Sequence, residues 1–106
     1  MANNTQMLKG LLEGCILKII EKNKTYGYEI VEKLMEYGFE DISESSVYPI
    51  LIRLEKKGHL GASMEKSPFG PMRKYYHITD EGITELENFT YSWQEIKRNV
   101  ERVLEG

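Results

Sequence analysis

The run Ser43-Glu44-Ser45-Ser46-Val47-Tyr48-Pro49-Ile50-Leu51-Ile52-Arg53-Leu54-Glu55-Lys56-Lys57-Gly58 decides how this 106-residue chain is read. Val47, Leu51 and Leu54 fall at i, i+4 and i+7, one buried stripe of a short amphipathic helix. The helix starts near Ser45 or Ser46, either of which can accept from orphan backbone N–H groups, and Gly58 ends it after Lys56 and Lys57. Pro49 belongs within the opening turn or so, where few intrahelical bonds are lost. The face turned away from the stripe carries Ser45, Ser46, Pro49, Arg53 and Lys56.

Downstream, Leu60, Ala62 and Met64 alternate with Gly61, Ser63 and Glu65, and Tyr76 and Ile78 alternate with Tyr75 and His77. Both are strand patterns. The connection through Ser67-Pro68-Phe69-Gly70-Pro71 is too long for a two-residue turn and predicts a projecting wing. A helix with small polar residues at its start, followed by a basic and aromatic hairpin, is what a winged helix-turn-helix needs to sit on DNA.

The net charge of −3 looks wrong for such a partner, but its distribution does not. Residues 53–78 hold six cations (Arg53, Lys56, Lys57, Lys66, Arg73, Lys74) against Glu55 and Glu65, whereas the segments on either side are both acidic. A phosphate sees the local field, which is positive here.

Upstream, Met7–Glu21 reads as a first helix, apolar on more than one side through Leu8, Leu11, Leu12, Cys15, Leu17, Ile19 and Ile20. Covering two faces takes both its own core and a partner. Thr25 can cap a second helix over about Tyr26–Tyr37, with Ile30, Val31 and Leu34 inward and Gly38 as its stop. Thr79-Asp80-Glu81 opens a last helix that runs to about Leu104. Its residues Leu86, Phe89, Trp93, Ile96, Val100 and Val103 step by three and four, an a/d heptad stripe on a helix longer than a small domain needs. Self-association is the simplest cover for it. The fold class is therefore mainly α with a small β-hairpin. Residues 1–79 form a winged helix-turn-helix, and residues 80–106 form a dimerisation helix packed with the first helix in one compact unit.

Other classes find little support. No apolar run approaches the ~20 residues of a membrane span. The stretch Met1–Gln6 lacks the basic flank of a secretory signal, so the expected location is cytoplasmic. Cys15 is alone and reads as a buried small hydrophobe. His59 and His77 lack metal-ligand spacing, and no Ser/His/Asp set, phosphate loop or carboxylate pair stands out. No enzyme, metal or cofactor is expected.

The order of elements and three sets of residues resemble the PadR family of bacterial transcriptional regulators. The sets are Tyr26-Gly27-Tyr28-Glu29-Ile30, then Ser46-Val47-Tyr48-Pro49-Ile50-Leu51 with Arg53-Leu54-Glu55, and Gly70-Pro71-Met72-Arg73-Lys74-Tyr75-Tyr76 with Ile78-Thr79-Asp80-Glu81-Gly82. The short C-terminal part is similar to the branch with a single dimerising helix. The resemblance implies a homodimeric repressor on a near-palindromic operator, released by a small molecule. One departure is Glu44-Ser45-Ser46-Val47, which lacks the Thr hydroxyl frequent in the family before Tyr-Pro. Ser46 can supply a hydroxyl, while Glu44 opposes close phosphate contact.

The expected DNA-binding set is Tyr26, Tyr28, Ser45, Ser46, Tyr48, Pro49, Arg53, Lys66, Arg73, Lys74 and Tyr76. For Tyr48 and Pro49, packing residues that shape the helix start is the competing reading. At least one of Tyr26 and Tyr28 belongs to the core, and only one of Tyr75 and Tyr76 can face the sheet's inner side. Arg53 has no obvious core role, so DNA is favoured over a surface ion pair. The expected dimer interface is Leu8, Leu12, Leu86, Phe89, Trp93, Ile96, Val100 and Val103. Trp93 is either dimer core or, by analogy with relatives that hold flat multiring compounds between paired helices, a stacking site for a small aromatic effector. A winged-helix module that binds protein rather than DNA is the alternative function.

Overall fold

The computed structural model describes residues 5–106. Met1–Asn4, part of the stretch read for a secretory signal, lie outside the described residues. The order is α1 (Thr5–Leu8), α2 (Leu11–Lys22), α3 (Gly27–Glu36), α4 (Glu44–Lys56), β1 (Leu60–Lys66), β2 (Met72–Ile78) and α5 (Asp80–Glu105). This is the expected mainly α architecture with one antiparallel hairpin and a long terminal helix. No helix among the described residues is long and apolar enough to cross a membrane.

Three helices build most of one core. Ile16, Leu17 and Ile20 come from α2, Ile30, Val31 and Leu34 from α3, and Val47, Leu51 and Leu54 from α4. Leu60 and Tyr76 close it from the base of the hairpin, and Leu86 from α5. The turn between α3 and α4 begins with Gly38 at φ 108°, where the N–H of Gly38 donates to Met35 O and that of Phe39 to Leu34 O. These bonds satisfy the last carbonyls of α3 and turn the chain sharply into α4.

Three boundaries differ from expectation. The first helix is broken at Gly10, whose φ of 88° no helical residue adopts, so Leu8 sits on a separate turn. The third helix starts one residue early: Ser43 is its N-cap, Glu44 its first residue, and no side chain caps it. Thr25 does not cap α3 either. Its hydroxyl donates to Glu29, and its backbone exchanges two hydrogen bonds with Tyr76, at 3.1 and 2.7 Å. Thr25 thus adds a one-residue third strand to the hairpin and ties the start of α3 to the wing.

The entry to α5 is as tight as its sequence suggests. The Thr79 hydroxyl donates to Gly58 O at 2.6 Å and accepts from the Gly82 N–H at 3.0 Å. Gly82 lies against the His59 carbonyl, where a Cβ would come within 2.1 Å of the oxygen. Further along, the Phe89 ring covers Gly14 of α2, and a Cβ there would come within 2.2 Å of the ring. These two contacts clamp the first half of α5 to the body.

Candidate nucleic-acid interface

Helix α4 buries Val47, Leu51 and Leu54, and the 100° step between residues places the rest. Ser45, Pro49, Ile52 and Lys56 form the row opposite the core, all exposed. Tyr48 and Glu55 lie on the flank toward the hairpin. Ser46, Arg53 and Lys57 lie on the flank toward α2. The start of the helix is a hydroxyl cluster: Ser43 Oγ lies 2.7 Å from Ser45 Oγ and 3.4 Å from Ser46 Oγ. Tyr48 and Pro49 are both exposed, so neither is a packing residue of the core.

The cations are less free than the sequence implies. Arg53 Nε donates to Glu13 Oε1 at 3.3 Å, and Lys57 Nζ lies 3.8 Å from the same oxygen. The surface ion pair, set aside on the sequence for want of a visible partner, is present, because α2 and α4 share one core and α2 lays Glu13 beside α4. On the other flank Lys74 Nζ donates to Glu55 Oε1 at 2.9 Å, and that carboxylate raises the Lys74 pKa above its ordinary value. Lys24 pairs with Glu65 at 2.8 Å and lowers the Glu65 pKa. Among the described residues, Lys56, Lys66 and Arg73 of this basic segment form no ion pair.

Arg73 is placed by an aromatic contact instead. Its guanidinium carbon sits 4.4 Å from the centre of the Tyr26 ring, and Tyr26 meets Tyr75 edge-on at 5.4 Å. A guanidinium stacked on a ring keeps its charge and its outward N–H donors. Tyr28 is exposed on α3. Tyr76 requires correction: it is only 1% exposed and is core, not a DNA contact. Strand alternation sends its ring inward beside Leu60, its hydroxyl has no hydrogen-bond partner, and burial pushes its pKa up.

The proposed dimer stripe divides in two. Leu86 is buried in its own chain's core and so is not free for a partner, and Phe89 is half-buried on Gly14. The inner half of the heptad pattern serves α2. Beyond it Trp93 (41% exposed), Ile96, Val100 and Val103 (78%) project without cover. Leu12 is partly buried against the core and Leu8 is half-buried. Beside this stripe, Cys15, Ile19, Phe39, Leu86 and Phe89 line an open apolar groove of about 450 Å³ rimmed by Lys18, Lys22 and Tyr37. Cys15 is only half-buried in that wall, short of the buried hydrophobe expected, and the partial burial raises its pKa.

Sequence reasoning missed Glu13, the bridge at Thr25 and this groove. Glu13 carried no signal, since its partners are forty or more residues away. The groove had one in the surplus of apolar residues around the first helix.

Comparison with known proteins agrees with the geometry. The profile of the transcriptional regulator PadR-like family matches residues 16–88. A crystal structure of a PadR-like transcriptional regulator from Bacillus cereus superposes with a TM-score of 0.86 at 48% identity, covering 95% of this chain and 98% of that one. A Streptococcus transcriptional regulator gives a TM-score of 0.85 at 41% identity, over 92% of this chain and 96% of that one. An uncharacterised protein of Lysinibacillus sphaericus is 32% identical over 104 residues, 96% of this chain and 95% of its own.

Proposed function

This chain belongs to the PadR-like family of transcriptional regulators, and on that premise we propose that it is a sequence-specific DNA-binding repressor. It acts in the cytoplasm as a homodimer on a near-palindromic operator beside a transporter, detoxification or stress gene. Residues 1–79 read the DNA and residues 80–106 pair the subunits. The observation that carries this reading is the exposed row of α4, Ser45, Pro49, Ile52 and Lys56, set beside a hairpin with unpaired Lys66 and Arg73.

In this reading the start of α4 enters the major groove. Ser45, Ser46, Tyr48 and Pro49 meet base edges, and Lys56 and Arg53 reach phosphates behind them. Lys66, Arg73 and Lys74 take phosphates from the hairpin, and Tyr26 and Tyr28 do so from the N-cap and first turn of α3. The outer stripe of α5, with Leu12 and the apolar groove, meets its symmetry mate. A small aromatic effector stacks where two Trp93 rings approach and tilts the halves away from the ~34 Å spacing that DNA demands. Quenching of the single Trp by planar aromatic compounds, coupled to loss of operator affinity, tests that step. Quenching with affinity unchanged removes induction from the account.

The test of DNA binding is a salt titration. A dimer neutralising on the order of six to eight phosphates loses ~10³-fold or more in affinity between 50 and 200 mM salt. A flat response, measured by fluorescence anisotropy, favours the alternative of a winged-helix module that binds protein.

A further inference from the structure

The end of the hairpin carries the most exposed aromatic side chain of the described residues, and neither the core nor any charged contact accounts for it. Phe69 is 87% exposed and stands between Pro68 and Pro71. The turn that presents it is closed by backbone bonds, Ser67 N–H to Pro71 O at 2.9 Å and Gly70 N–H to Ser67 O at 3.1 Å. Gly70 takes φ 113°, a conformation that favours glycine. Two prolines and two backbone bonds hold the ring out at little further entropic cost. Met72, also exposed, follows it, and Lys66 stands opposite Met72 in the strand register. The tip is thus an apolar point with a free cation at its shoulder.

We infer that Phe69 is a wedge that enters the minor groove and opens a base step beside the α4 site. The inference rests on the DNA-binding reading above. Seven residues of strand place the tip roughly 20 Å beyond the base of the hairpin. A minor groove lies half a helical turn, roughly 17 Å, along the axis from the major groove that α4 would occupy. The Lys74–Glu55 bond and the Thr25–Tyr76 bridge fix the hairpin's direction relative to α4. An apolar ring in that groove has no donor or acceptor to offer base edges. What it can do is slip between neighbouring bases, unstack them and kink the duplex toward the major groove. Lys66 then meets a phosphate on the rim.

The experiment uses full-length protein and a duplex of about 30 base pairs, selected by the wild-type chain from a random pool. Single 2-aminopurines, which brighten when unstacked, are placed at successive positions outside the α4 site. Wild type is expected to brighten one position and to bend the duplex, seen as a shorter distance between dyes on its ends. Phe69→Ser is expected to lose both signals and to weaken binding by roughly 5- to 150-fold, the range of one lost aromatic–base contact. Phe69→Leu, still an apolar wedge, keeps part of the bend. Because the side chain touches no core residue, circular dichroism of both variants should match wild type. If wild type binds but no position brightens and Phe69→Ser binds equally well, the wedge is refuted while DNA binding stands. If wild type selects no duplex at all, the DNA reading falls and takes the wedge with it.

Discussion

At the seam between α2 and α5 a ring lies against a bare Cα. Across the face formed by α4 and the hairpin, the close contacts join charges and rings that water also reaches. The Phe89–Gly14 approach leaves no room for one added carbon. The Glu13–Arg53, Glu13–Lys57 and Glu55–Lys74 pairs are all partly solvated. Close apolar packing is expensive to disturb and insensitive to salt. Solvated ion pairs contribute about 0–1 kcal/mol each and exchange partners readily. The seam therefore serves as scaffold, and the face as a surface able to trade a carboxylate for a phosphate.

The apolar stripe of α5 has two halves, only the inner one in the seam, and they give the largest expected effects. Leu86→Ala removes a buried side chain from the monomer's core and should destabilise every form of the protein by ~2–5 kcal/mol. Val100 lies on the exposed outer half, so Val100→Asp should leave the monomer folded. In a dimer it would bury an unpaired carboxylate and cost several kcal/mol. Sedimentation of Val100→Asp should show folded monomer. A stable Val100→Asp dimer would place the interface elsewhere and break the division between the halves.

On the charged face the expected effects are smaller and concern DNA. Arg73→Ala should weaken selected and random duplexes alike, because a cation on the wing positions the protein without reading sequence. Ser46→Ala should spare random DNA and cost the selected site ~1–3 kcal/mol if that hydroxyl reads a base. Competition titrations on both duplexes separate the two. The pattern fails if Arg73→Ala removes sequence preference and Ser46→Ala changes nothing.

The elements were legible because their signals were local. Periods of 3.6 and 2, a proline near a helix start and a Thr-Asp-Glu opening each report on a few neighbouring residues. Misjudgements arose where the decisive partner is distant in sequence. The stripe Leu86–Val103 is continuous as a pattern, yet its inner members are taken by α2, and no period distinguishes an intramolecular cover from a second chain. Tyr76, expected at the DNA, faces the core instead, because alternation along β2 puts it on the same side as the buried Leu60, and only the packed helices show which side that is. Arg53 looked free because Glu13 lies forty residues upstream. Phe69 sat in plain view in the turn, but its exposure followed only from the way the wing closes.

Glu13 is where the seam and the face meet. It precedes Gly14 on α2, so one residue presents its carboxylate to Arg53 and Lys57 while the next lies beneath Phe89. Any DNA that draws Arg53 or Lys57 to a phosphate must first break or share those pairs. Glu13→Gln removes the competing charge and keeps the side chain's size. Stability should change by no more than ~1 kcal/mol, since the pairs are partly exposed. DNA affinity should rise about two- to fivefold, the same energy returned to the complex, with a somewhat steeper salt dependence as the freed cations release more counterions. The double variant Glu13→Gln with Arg53→Ala isolates the link. The gain should shrink when Arg53 is absent, because its counter-charge is then no longer needed. If Glu13→Gln raises affinity equally with and without Arg53, the carboxylate acts through the general field, and Arg53 stays an ion-pair partner with no share in DNA.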